Sequence, residues 1–136
     1  VVQRLVRCMD NAKMRRLQAH IKLEREARES GDKRATVRLS GEFHVLLAEL
    51  AGNSALLRSM RELSTLTCLT ISLYESAVNT CCLVDEHEAV VTAIAAGKSE
   101  EAEQIMLNHL NHIQGSLRLE ADSDEADLEQ ILGDLL

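Results

Sequence analysis

Not one of the 136 residues is proline, and only six are glycine. A chain without proline keeps every backbone N–H available for hydrogen bonding, and no position is barred from a helix interior. The remaining composition favours helix, with Leu, Ala, Glu and Arg dominating. Apolar residues then recur at helical spacing between a few breaks, and Gly31, Gly52 and Gly97 fall at those breaks. The reading is an all-α protein, an antiparallel bundle of about six helices in one domain.

The expected helices follow from the punctuation. Residues 1–9 place Val1, Val2, Leu5, Val6 and Met9 on one side with no N-cap before them, as though the chain starts within a helix. A second helix is expected from about Asn11 to Ser30, with Leu17, Ile21 and Glu24 in a row. A third is expected from about Lys33 to Leu50, with Phe43, Leu46, Leu47 and Leu50 as its stripe. Asn53 is a good N-cap for a fourth, running to about Ser76. A fifth covers about Val84 to Ala96, and a sixth, capped by Ser99, runs from about Glu100 to Leu119. The unit is placed at 1–120, followed by an acidic tail over 121–136.

Charge and composition exclude several functions. Fifteen Lys and Arg against 22 Asp and Glu give a net charge of -7. That is the wrong sign for a domain that itself binds nucleic acid. No stretch approaches the ~18–20 apolar residues of a membrane span, and no signal-peptide layout is present, so a cytoplasmic protein is expected. Cys8, Cys68, Cys81 and Cys82 have no zinc-finger spacing and read as reduced thiols. There is no P-loop, GxGxxG, HExxH or Ser-His-Asp order.

Chemistry concentrates instead in histidine. His44, His87 and His109 each replace an apolar residue in the stripe of a different helix. In one bundle all three imidazoles point inward. Burying several imidazoles demands partners, and a divalent metal (Zn, Ni, Fe or Mn) partners all three at once. His112, one turn beyond His109, reaches the same cavity or faces solvent; His20 lies on a helix the trio does not require. Asp85 and Glu86 precede His87 in a first helical turn, where they favour the helix dipole. The fourth helix is hydroxyl-rich, and Thr67, Thr70 and Tyr74 share one face by spacing, either lining a ligand site or bonding back to the helix.

Phe43-His44-x-x-Leu47 followed by Ala51-Gly52-Asn53 resembles a signature of the FadR C-terminal (FCD) sensor domains of GntR-type bacterial transcription regulators. Asp85-Glu86-His87, Ala93-Ile94-Ala95-Ala96-Gly97 and Met106-x-x-His109-Leu110 match the same domain in order and spacing. The resemblance implies a helical bundle that binds a small carboxylate or sugar-acid effector. It implies a divalent metal held by one Asp and three His, the latter mapping onto His44, His87 and His109. The Asp position is Ser40 here, a neutral and weak ligand. Glu42 is no substitute, since it lies about 200° around the helix from His44. Water, the effector's carboxylate or Cys81 is left to fill the position. The resemblance also implies a homodimer and an upstream winged helix-turn-helix, outside this sequence, that carries DNA contact. It points away from an enzyme. A metal-free effector-binding or dimerisation domain, and a His-metal enzyme, stay open as rivals.

Overall fold

The computed structural model describes residues 1–74 and 83–115. The expected acidic tail, Cys81, Cys82 and the Tyr74 side chain lie outside the described residues. Six helices account for almost all of the rest: α1 (Val2–Arg7), α2 (Asn11–Glu29), α3 (Lys33–Leu50), α4 (Ser54–Tyr74), α5 (Leu83–Ala95) and α6 (residues 99–115).

The helix ends follow from local chemistry. Asp10 caps α2 by accepting a 2.8 Å bond from the Lys13 N–H, and Asp32 caps α3 through Ala35 N–H at 2.9 Å. Asn53 accepts from Leu56 N–H at 3.1 Å at the start of α4. Gly97 ends α5 with φ +72°, which lets the Lys98 N–H reach the Ala93 carbonyl at 2.9 Å. The sixth helix starts earlier than its sequence suggests. The Lys98 carbonyl already accepts from Ala102 N–H, so Ser99 lies inside the first turn rather than capping it.

The core is built from five of the six helices. Val2 and Leu5 of α1, Leu17 and Ile21 of α2, Phe43 and Leu47 of α3, Val90 and Ile94 of α5, and Ala102 and Met106 of α6 form one buried cluster. Phe43 is the largest fully buried side chain, and burial of such a ring is worth roughly 1.5–3 kcal/mol. Arg4 ties α1 to the end of α3, donating from Nε to the Ala51 carbonyl at 2.7 Å. Exposed ion pairs from Arg25 to Glu88 and from Arg28 to Asp85 link α2 to α5; such pairs contribute little each.

Helix α4 is different. Among residues 54–72 none is buried, and Leu63, Leu66 and Leu69 are each more than half exposed. It lies chiefly against α3, where Gly41 makes the approach close. A methyl group at Gly41 would stand 2.5 Å from the Cys68 sulfur. The Cys68 thiol donates to the Val37 carbonyl at 3.3 Å. No described helix is long and apolar enough to cross a membrane.

Candidate metal centre

His44 projects from the middle of α3, His87 from the first turns of α5 and His109 from α6. Their ring nitrogens converge. His87 Nε2 lies 3.1 Å from His109 Nε2, which lies 3.2 Å from His44 Nε2. One ligand atom from each residue falls within 4.8 Å of the others. His87 and His109 are fully buried. Phe43, one residue before His44, stacks on the His87 ring with centroids 4.1 Å apart.

The far side of two of these rings is held by carboxylates. Glu24, only 1 % exposed, receives His87 Nδ1 at 3.0 Å from both of its oxygens. Glu86 receives His109 Nδ1 at 2.8 Å and His112 Nδ1 at 2.6 Å. Burial pushes the Glu24 carboxyl upward, but hydrogen bonds from His20 and His87 outweigh it and hold the group below its usual value. For Glu86, burial acts in the same sense and is outweighed by His109 and His112. Both are therefore carboxylates, which only accept, so His87 and His109 each donate from Nδ1.

That fixes the tautomers. With Nδ1 given to a carboxylate, Nε2 is the atom each ring has left to ligate, and the Nε2 atoms of His87 and His109 face each other across 3.1 Å. Such an arrangement calls for a shared cation. Ligand atoms about 2.05 Å from one ion stand about 3.3 Å apart in a tetrahedron and about 2.9 Å apart at octahedral right angles; the observed separations fall between. Imidazole nitrogen backed by carboxylate is the usual donor chemistry of Zn and its neighbours, so the residues present fit a divalent transition metal. Burial, reinforced by His87 and His109, drives His44 down to about 3, and His109 is lowered by burial and then by His87. Both stay neutral and able to ligate at physiological pH.

Beside the centre, a pocket of about 660 Å³ opens among α1, α3, α4 and α6. His44 is the one member of the trio that lines it, and Ser40, one turn earlier, lines it too. Thr67 is on its wall. Thr70 is not: its hydroxyl donates to the Leu66 carbonyl at 2.9 Å, bonding back to its own helix. Glu42 turns away from the centre to pair with Arg38 at 2.7 Å. His112 pairs with Glu86, with its side chain 66 % exposed. His20 stands behind it, donating from Nε2 to the Leu39 carbonyl at 2.9 Å and lying 3.5 Å from Glu24. Burial lowers the pKa of His20, but Glu24 and the Leu39 carbonyl outweigh that and raise it.

Two residues escaped the sequence reading. Glu86 looked like a helix-dipole residue, yet it grips two imidazoles, while its neighbour Asp85 makes the surface pair with Arg28. Glu24 carried a signal: a carboxylate in line with Leu17 and Ile21 on a buried stripe needs an internal partner.

The chain shares 33 % identity over 81 residues with the HTH-type transcriptional regulator LutR of Bacillus subtilis (strain 168). The match covers 55 % of this chain and 37 % of that protein, so the chain spans well under half the length of this relative. The FCD domain family model matches residues 1–112, from α1 through the His87 and His109 helices of the trio, and the chain belongs to the FCD domain family.

Proposed function

We propose that this chain is the effector-sensing domain of a GntR-type DNA-binding regulator, and that it senses through a divalent transition metal held by His44, His87 and His109. The observation that carries the reading is the convergence of three imidazoles, two of them forced by Glu24 and Glu86 to present bare Nε2 atoms to each other. The metal would supply a Lewis-acidic point for an anionic ligand group. Ser40 leaves the family's carboxylate position without a charge, and it does so on the pocket side. A small carboxylate effector is therefore the natural occupant of that position. Ser40 and Thr67 are hydrogen-bonding walls for it, Thr70 and His112 stand in a more distant role, and Tyr74 is kept as a candidate wall on its sequence spacing.

Signalling requires that the effector bind one arrangement of the helices better than another. A ligand seated between His44 on α3 and the wall of α4 bridges the firmest and the least buried parts of the bundle. Moving α4 against α3 is the shift we assign to effector binding. DNA contact belongs to a winged helix-turn-helix domain preceding this one, the protein acts as a homodimer in the cytoplasm, and no catalytic role is assigned. A metal-free effector domain is the second reading, and Ser40 is the observation that favours it.

Elemental mass spectrometry on chain purified without a metal-affinity tag separates the two. About one Zn, Ni, Fe or Mn per chain, lost in His87→Ala, is the expected result. Absence of metal even after incubation with Zn or Ni, together with a thermal shift from a small acid, would establish the metal-free reading instead.

A further inference from the structure

The pocket beside the histidines has a chemistry of its own. Among the described residues no lysine or arginine lines it, and the one charged side chain there, Glu103, is taken up by a hydrogen bond from Gln3. Cys68 is spent on the Val37 carbonyl. The hydroxyls of Ser40, Ser64 and Thr67 and the amide of Gln114 are what the described wall offers a polar ligand. The remainder is mostly apolar, Val37, Leu47, Met60, Ile71, Met106 and Ile113 among it. The nearby arginines are elsewhere: Arg34, Arg38 and Arg61 line a separate groove on another side of the α3–α4 contact.

We infer that the effector is a monocarboxylic acid with an apolar aliphatic tail, its carboxylate at the His44 end of the pocket and its tail along α4 and α6. This rests on the reading of the trio as a metal centre and narrows the class of acid it accepts. One carboxylate finds one electrophilic point. A second carboxylate would meet no lysine or arginine among the described lining residues and would be drawn from water without a side-chain counter-charge. A sugar acid would bring more hydroxyls than these few side chains can satisfy, and each one left unpaired in an apolar pocket weakens binding. An aliphatic tail suits the methionine, leucine and isoleucine wall, and a volume of about 660 Å³ has room for far more than a two-carbon acid.

The test is a calorimetric series on the zinc-loaded 136-residue chain with acetate, butanoate, hexanoate and octanoate, with succinate and gluconate as comparators. Affinity should rise about fourfold per added methylene until the pocket is filled, with succinate and gluconate no tighter than acetate. Leu110→Gln, at a lining position already 47 % exposed, should weaken octanoate severalfold, leave acetate unchanged and retain zinc. A flat series, tighter binding of succinate or gluconate, or no binding of any of these acids overturns the inference while leaving the metal centre standing if zinc is bound. The same rising series on a chain that takes up no zinc would remove the metal from the account and keep the apolar-tailed acid.

Discussion

The two faces of α3 behave as different materials. On one face Phe43 and Leu47 are buried among α1, α2, α5 and α6, and the histidine centre grows out of that core with Glu24 and Glu86 behind it. On the other, α4 leans on Gly41 through its own Cys68, buries no residue among 54–72, and leaves three leucines more than half exposed. The first face fixes geometry: side chains in a close-packed core have few alternatives, and carboxylates orient the imidazoles. The second bounds a cavity and has little packing to lose when it moves. A sensor needs both, one side to define the chemistry and one side able to respond.

The sharpest way to break this contrast is to truncate one apolar side chain on each side. Phe43→Ala should lower unfolding free energy by about 3–5 kcal/mol, with loss of the stacking that braces His87. Leu66→Ala, on a residue 60 % exposed, should change it by less than about 0.5 kcal/mol. Denaturant melts of both variants check the pair, and equal losses would show that α4 is as firmly seated as the core.

Next in size is the carboxylate brace. Glu24→Gln keeps shape but loses the charge that holds the Nδ1–H of His87, and zinc affinity by competitive chelator titration should fall about 10–100-fold. Leu23→Gln, on the neighbouring exposed position, should leave it unchanged.

Gly41→Ala probes the junction between the two faces. Alanine in a helix is normally favoured over glycine by roughly 0.5–1 kcal/mol. Here the new methyl meets the Cys68 sulfur, so the sign should reverse, with a loss of about 1 kcal/mol. The double variant Gly41→Ala, Cys68→Ala should recover most of it.

Acid acts on the same histidines. In the metal-free chain, His44 titrates at about 3 when folded against roughly 6.5 when unfolded. Between those values the unfolded chain binds a proton that the folded chain refuses, so stability falls as pH drops through that window. His20 acts in the opposite sense. Its raised pKa gives a contribution that is complete below the unfolded value and lost as pH rises through the folded one. His44→Asn should flatten the acid side of a thermal-melt profile, and His20→Gln should steepen it.

The histidine centre was more legible in the sequence than the carboxylates that complete it. His44, His87 and His109 interrupt apolar stripes, and periodicity alone places such residues inside a bundle. Glycine and cap residues likewise put the helix boundaries within a few positions of those observed. Glu86 was not legible, because a carboxylate in a first helical turn already has a local explanation and its partners lie 23 and 26 residues away. The looseness of α4 was hidden for a related reason. Leu57, Met60, Leu63 and Leu66 are apolar residues at every third position, but spacing does not say whether a neighbour stands opposite, and Leu63 and Leu66 lie mostly in solvent. Thr70 shows the same limit, since helical spacing groups it with Thr67 while its hydroxyl is spent on Leu66.

The most direct test of the central claim is X-ray absorption at the zinc edge of the zinc-loaded chain. The account predicts three imidazole nitrogens at about 2.0–2.1 Å, oxygen completing the shell and no sulfur, and an oxygen contribution that changes when octanoate is added. Fewer than three imidazoles, or a thiolate in the shell, would contradict a centre built from His44, His87 and His109 and open toward the pocket.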